Sequence, residues 1–352
     1  MEDSSHNRYA RQIQFNPVGI EGQRRIEQSR VTLLGCGALG SVAAEILARA
    51  GVGHLRLLDR DLVEWTNLQR QALFDEQDAE QGRAKVQAAS ERLTKINSTI
   101  EIEPVVVDIT ADNISGVLKG SDLVIDATDN FAIRFLLNDW SLKNKTPWVH
   151  GGCIGASGQV RLFDGQGAPC FRCLVPEPPP AASVATCDTA GVLGAATHVV
   201  ASLQSLEALK WLSGNRDTVH EELWSIDLWR NRFRALGIDP GLSQSCRACG
   251  EHQYDFLDAD HARSRSAVEI CGRDAVQITP ATASKVALKQ VAERWQGQGE
   301  VQANRFFARL MIASQGNEPP LRLTLFADGR AVIDGTDNAS KARSLYDRFV
   351  GG

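Results

Sequence analysis

The chain of 352 residues is long enough for about two or three domains, and its 43% hydrophobic and 23% charged content is that of a globular protein able to bury a core. A net charge of −5 gives no electrostatic reason to expect nucleic-acid binding, and no apolar run is long enough to span a membrane. The polar, acidic start Met1-Glu-Asp-Ser-Ser-His is unlike a secretory signal, so the expected compartment is the cytoplasm. There the eight cysteines read as metal ligands or reactive thiols rather than as a disulfide framework.

In chain order, residues 8–30 read as a polar helical segment, 31–34 as a buried strand, 41–50 as a helix rich in Ala and Leu, and 54–58 as a second strand. A helix is expected over 82–96, strands near 100–107 and 123–126 with a short helix between them, a helix over 131–143, and a strand beginning at 147–150. Strands alternating with helices predict a doubly wound, mostly parallel α/β sheet of Rossmann type. Antiparallel strands near 159–163 and 223–234 follow, joined through the proline-rich stretch Pro176-Glu-Pro-Pro-Pro180-Ala-Ala, read as an extended crossover loop, and a long apolar helix over 192–212. After Gly250 the composition shifts. Residues 254–352 read as a small separate α+β domain: a strand, a helix over 281–296, two strands around Phe326-Ala-Asp-Gly-Arg330, and a helix over 339–350.

Gly35-Cys-Gly-Ala-Leu-Gly40 lies between the first strand and the first helix, where glycines permit a tight turn and close approach of backbone to phosphate. Asp59 ends the second strand, where a carboxylate can accept hydrogen bonds from a ribose. A bland tight turn with a solvated Asp is the competing reading. NAD and ATP fit the loop equally; the residues after it favour ATP. Asn67, Arg70 and Lys85 place an amide and two cations just beyond the ribose carboxylate, as a triphosphate requires. Singly, either cation reads as a solvated surface group. Asp126-Ala-Thr-Asp129-Asn130 closes a strand at the carboxyl edge of the sheet, with Asp129 the preferred Mg²⁺ ligand and Asp126 expected to order the turn. Against that, Asp129 or Asn130 could simply cap the next helix.

Cys170-Phe-Arg-Cys173 and Cys246-Arg-Ala-Cys249 have the spacing of paired thiolates sharing one closed, structural, tetrahedral zinc; two independent redox pairs would need a thioredoxin-like context that is absent. Cys187, unpaired and just ahead of a helix, is a candidate nucleophile or else a small buried residue. Cys36, Cys153 and Cys271 read as packing residues.

Together these motifs resemble the ThiF/MoeB/HesA family, bacterial relatives of ubiquitin-activating enzymes. The resemblance covers roughly residues 8–250 and includes Arg8-Tyr-Ala-Arg11-Gln12, the glycine loop, Asp59-Arg-Asp61, Asn67-Leu-Gln-Arg-Gln71, Asp126-Ala-Thr-Asp-Asn130, both cysteine pairs and Thr186-Cys187. It implies an adenylylation domain over 1–250, with a nucleotide-binding part at about 30–150 and a carrier-binding and zinc part at about 151–250. The implied activity is ATP-dependent adenylylation of the Gly-Gly carboxylate of a ThiS- or MoaD-type ubiquitin-like sulfur carrier, for thiamine or molybdopterin synthesis. Carried over by motif, Gly35, Gly37, Gly40 and Asp59 hold the nucleotide, Asn67, Arg70 and Lys85 the triphosphate, and Asp129 Mg²⁺. Arg11 reaches the partner's nucleotide in a homodimer, and Cys187 serves a later thiol step. A sulfurtransferase is the implied donor partner, and no membrane or nucleic-acid partner is implied. The rivals are a thioester-forming activating enzyme acting through Cys187, a nicotinamide-dependent oxidoreductase and an inactive nucleotide-dependent scaffold. The role of 254–352 stays open, and the Gly351-Gly352 end reads as a loose terminus with no ubiquitin-like fold before it.

Overall fold

The computed structural model describes residues 8–179, 190–258, 267–269, 275–280, 285–313 and 319–351. Cys187 and Cys271 lie outside the described residues. The chain divides into two compact units, Met1–Ala259 and Asp260–Gly352.

The first unit is built on an eight-stranded sheet ordered β3-β2-β1-β4-β5-β6-β7-β8. Strands β1 (Arg30–Leu34), β2 (His54–Asp59), β3 (Glu101–Val106), β4 (Leu123–Asp126) and β5 (Trp148–Ile154) run parallel. β1 and β4 read as nearly continuous apolar runs because helices cover both faces of a parallel sheet. Strands β6 (Ser157–Phe163), β7 (Leu223–Asp227) and β8 (Arg232–Leu236) then continue antiparallel. The single stretch expected over 223–234 is therefore a hairpin, reversed at Leu228–Asn231, where Asn231 takes φ 52°. Asn tolerates that left-handed conformation better than most residues, which is why the chain can turn there.

The helix Ala38–Ala50 joins β1 to β2 and is buried on most of its surface, so its small side chains suit a position tight against the sheet. It stops at Gly51, φ 87°, where a Cβ would meet the Tyr9 ring at 2.5 Å. That close approach seats the N-terminal segment, whose Tyr9 hydroxyl accepts a hydrogen bond from Asn97. The predicted N-terminal helix is two pieces, Ala10–Ile13 and Gly19–Gln28. The long apolar helix is Gly194–Ser213, packed against β5, β6 and the helix Ala38–Ala50.

The second unit is an antiparallel sheet ordered β11-β12-β13-β14-β10-β9, from β9 (Ala267–Glu269), β10 (Ala275–Ile278), β11 (Glu300–Ala303), β12 (Phe307–Ile312), β13 (Leu321–Phe326) and β14 (Ala331–Asp334). It holds more strands than the sequence suggests. The helices Leu288–Trp295 and Ala339–Phe349 share one core with alternate residues of the sheet, including Leu310, Leu323 and Ile333, and the Trp295 indole donates to Phe349 O. Gly351 follows a helix in this unit, and every strand pair among its described residues is antiparallel.

The glycine loop depends on close contact. Gly35 has φ 88°, and a Cβ on Gly40 would lie 1.9 Å from Gly35 O. Gly40→Ala should therefore destabilise the first unit by about 2–4 kcal/mol, because helix and loop cannot both keep their places. A urea midpoint equal to the parent's would mean the loop can open without cost.

Candidate functional site

The loop, the β2 end and the β4 end converge at the carboxyl edge of the sheet. Gly37 caps the helix Ala38–Ala50 without a side-chain bond, leaving helix N–H groups free for an anion. Asp59 ties the loop to β2: one oxygen accepts from Cys36 N at 2.6 Å and the other from Asp61 N at 2.7 Å. Burial lifts the Asp59 carboxyl above its ordinary value, while Lys85 acts in the opposite direction. Burial likewise pushes the Cys36 thiol up, in keeping with a packing role.

Lys85 begins the helix Lys85–Ile96 and is buried, with Nζ 3.0 Å from Asp61 Oδ2. Burial opposes its charge, but the carboxylates of Asp61, Asp59 and Asp129 outweigh it and raise its pKa. The ammonium group thus stands among three acidic side chains. Asn67 is buried, and its Oδ1 accepts from Glu64 N in a reciprocal capping box. Part of the amide is therefore committed to shaping the turn. Arg70 donates to Thr66 O at 2.6 Å. Asp129 is exposed, and no hydrogen bond to it is seen among the described residues. The helix after it, Phe131–Asn144, is capped by Asn130, whose Oδ1 accepts from Ala132 N, so Asp129 is not needed for capping. Arg11 is exposed and donates to Gln14 at 3.0 Å.

Three further side chains complete the site. Gln71 is buried next to Gly37, and its Oε1 has no hydrogen-bond partner among the described residues. A buried amide oxygen without a donor is costly, so this atom fits an incoming ligand or water. Asp61 is the partner of Lys85. Arg134 reaches the fully buried Asp126 at 3.1 Å and donates to Thr128 O, the carbonyl just before Asp129. Gln71 and Asp61 stood inside the motifs Asn67-Leu-Gln-Arg-Gln71 and Asp59-Arg-Asp61; Arg134 carried no comparable signal.

Below this edge, Cys170, Cys173, Cys246 and Cys249 are buried free thiols with all four sulfurs within 4.8 Å of one another. Sγ separations are 3.9 Å for Cys170–Cys173, 3.7 Å for Cys170–Cys246 and 3.4 Å for Cys173–Cys249. A tetrahedron with metal–sulfur bonds of about 2.3 Å has edges of about 3.8 Å, so the cluster fits one zinc ion; disulfides would need about 2.05 Å. Without a cation, Cys173 beside it raises the Cys170 thiol and burial pushes Cys249 up to about 12. Burial also opposes ionisation of Cys246, but the amides of Cys249 and Ala248 outweigh it and lower that thiol. Asn138 accepts from Phe171 N, and Asp139 accepts from Phe256 N, which ties the first cysteine loop and the short helix after the second to the helix Phe131–Asn144.

Comparison with known proteins accounts for this combination of loop, acidic edge and thiol cluster. A family model described as the ThiF family matches residues 9–248. The chain belongs to the ThiF family. It is 36% identical over 345 residues to the sulfur carrier protein ThiS adenylyltransferase of Bacillus subtilis (strain 168), covering 98% of this chain and 99% of that one. It is 40% identical over 245 residues to the adenylyltransferase and sulfurtransferase MOCS3 of Culex quinquefasciatus, spanning 70% of this chain but only 55% of that relative. A crystal structure of E. coli MccB with ATP shares the fold, with a TM-score of 0.60, 22% identity, and coverage of 71% of this chain and 76% of that one.

The Asp126 network makes stability depend on pH. His150 Nδ1 lies 3.1 Å from Asp126, yet burial holds the imidazole below its ordinary value near 6.5. A depressed native pKa means the unfolded chain binds the proton more readily. The contribution is complete above about pH 6.5 and declines as pH falls from there towards the lower native value. His150→Gln should flatten the pH dependence of the urea midpoint just below pH 6.5. An unchanged slope would show that His150 titrates alike in both states.

Proposed function

We propose that the chain uses ATP to adenylylate the C-terminal Gly-Gly carboxylate of a ThiS-type ubiquitin-like sulfur carrier, with a MoaD-type carrier as the alternative partner. The B. subtilis relative, matched over nearly its whole length, carries that name. The observation that bears most weight is the meeting of two surfaces. An open groove of about 440 Å³ is lined by Gly155, Ala156, Gly191, Val192 and Trp229. It reaches Leu193, and a Cβ on the next residue, Gly194, would lie 2.7 Å from Gln69 O and 3.5 Å from Arg70 Cα. An open groove with Gly155 and Gly191 in its wall suits a tail without side chains, and its Leu193 end adjoins the segment that carries Arg70.

Beside the groove the β7–β8 hairpin exposes Trp229 and Phe233, and β8 has one hydrogen-bonded neighbour among the described strands. Arg230, Arg232 and Arg234 make this hairpin basic within a net acidic chain. An acidic carrier fits it, adding a strand to β8 and burying apolar side chains against Trp229 and Phe233.

In the reaction, a carboxylate oxygen of the tail attacks the α-phosphorus of ATP, the bond to the bridging oxygen breaks, and pyrophosphate leaves with its electron pair. Gly35, Gly37 and Gly40 let the backbone approach the phosphates, and Asp59 receives the ribose hydroxyls. Asn67, Arg70, Gln71 and Lys85 hold the triphosphate in line, with charge that stabilises the departing group. Asp129 would hold Mg²⁺, which supplies charge neutralisation on the phosphates. The thiol cluster holds zinc in a structural role. The acyl-adenylate then meets a sulfur donor, and Cys187 is assigned only to that later step. The cytoplasm is the proposed compartment.

ATP–pyrophosphate exchange with purified carrier tests the order of steps. Asp129→Ala should lower exchange on the order of a hundredfold or more, whereas Cys187→Ala should exchange near the parental rate. Parental exchange by Asp129→Ala removes the metal assignment; loss of exchange in Cys187→Ala moves the thiol into the first step.

Arg11 is proposed to reach the nucleotide of the other subunit in a homodimer, which its exposed position permits. Mixing Arg11→Ala with Asp129→Ala chains should restore exchange, because one site of each heterodimer keeps both residues. Heterodimers without recovered activity would place Arg11 in its own subunit's site.

A further inference from the structure

The two cysteine loops, 170–173 and 246–249, each carry an arginine between their cysteines, and one carboxylate bonds both. Asp255 opens the short helix Asp255–Asp258 that follows the second loop. Its Oδ2 accepts from Arg172 Nη2 at 2.9 Å and from Arg247 Nε at 3.0 Å, and its Oδ1 accepts from Arg247 Nη2 at 2.7 Å. The contact with Arg247 is two-pronged, the geometry in which a guanidinium fixes the direction of a carboxylate as well as its distance.

A lone exposed ion pair adds little to stability, and Arg247 is 57% exposed. This pair closes a longer bridge. Arg172 is 6% exposed and is also held at 3.4 Å by the fully buried Asp139 of the helix Phe131–Asn144. Its guanidinium lies 5.1 Å from the centroid of the Phe256 ring. Asp255 therefore passes the fixed position of Arg172 on to Arg247, and with it to the second loop. The backbone repeats the connection: Arg172 Nη1 donates to Gln253 O at 3.4 Å, and Gln253 N donates to Arg247 O at 2.8 Å. Four thiolates around one ion must keep to a tetrahedron, so the affinity of such a site depends on how well its two loops hold their relative place.

We propose that Asp255 is a positioning residue of the zinc centre, whose carboxylate clasps the two cysteine loops through Arg172 and Arg247 and keeps the four sulfurs at metal-binding separation. The inference rests on the zinc reading given above.

Elemental analysis of the full-length parent comes first: one zinc per chain is expected, and none would refute the zinc reading and the clasp with it. Zinc affinity is then measured by chelator competition, and thiolate bonding by the sulfur-to-metal absorption of the cobalt-substituted protein. Asp255→Asn keeps the shape and removes the charge; it should lose about tenfold or more in zinc affinity, as removal of an outer-sphere partner does. Asp258→Asn is the control. That carboxylate lies on the same short helix but pairs with Lys143 at 2.8 Å, outside both cysteine loops, so zinc affinity should stay parental. In an Arg247→Gln background Asp255→Asn should cost less than it does alone, because the bridge is already open. Parental affinity in Asp255→Asn would overturn the clasp and leave the zinc reading standing. Equal losses in Asp255→Asn and Asp258→Asn would overturn it too, since the helix would then serve only general stability. If Asp255→Asn cannot be recovered folded, Arg247→Gln decides, because it leaves Arg172 paired with Asp139: weakened zinc binding supports the clasp, and parental binding refutes it.

Discussion

The arrangement of the carboxyl edge depends on one buried carboxylate. Asp126 is fully enclosed at the end of β4 and accepts from Thr128 N and Oγ1, Arg134 Nε and, at 3.1 Å, engages His150. Its charge would be untenable there without those donors. Arg134 overcomes the cost of burial and keeps the carboxyl below its ordinary value. The main-chain carbonyl of Asp126 is fixed as well, by Gln204 from the helix Gly194–Ser213. Three elements are thus anchored on one residue: the turn that carries Asp129, the strand β5 and the helix that follows the groove. A site made of loop ends gains its geometry from this polar anchor beneath them.

The same helix that supplies Arg134 also supplies the supports of the thiol cluster. Arg134, Asn138 and Asp139 lie on Phe131–Asn144, and they reach respectively the Asp129 turn, Phe171 N and Arg172. The thiol cluster and the glycine-loop edge are therefore linked through one helix. Phe171, held between two of the cysteines, is tied by Asn138 to the helix that also reaches the Asp129 turn. This gives the four thiols a mechanical link to the loop edge.

Much of this was legible in the sequence because it is written in local spacing. The glycine loop, the strand-end acids and the paired cysteines each sit within a few residues of one another, and the backbone geometry that such spacing dictates is the geometry found. What escaped were contacts between distant segments. Lys85 answers to Asp61, 24 residues away, and the thiol cluster is assembled from segments 76 residues apart in sequence. Asn67 was legible as a polar group at the right place but not as the cap of its own turn. In the second unit, Phe307–Ile312 is a strand whose mixed polar and apolar residues give no clean alternation, because both faces of that sheet hold buried side chains, among them Arg309 and Thr324. Function was readable where it lay in motifs; its supports were not.

The hairpin that ends the first sheet has a consequence for solubility. An open edge strand with exposed Phe233 and Leu236 is a template on which a second copy of the chain could align edge to edge. Arg232 and Arg234 flank Phe233 and share a face with Leu236 on β8, so that an antiparallel self-pairing centred on Phe233 or Arg234 would set arginines directly opposite one another. The same arginines that would welcome an acidic strand make the edge hostile to itself. Selectivity for a partner and resistance to aggregation are here one arrangement of charge.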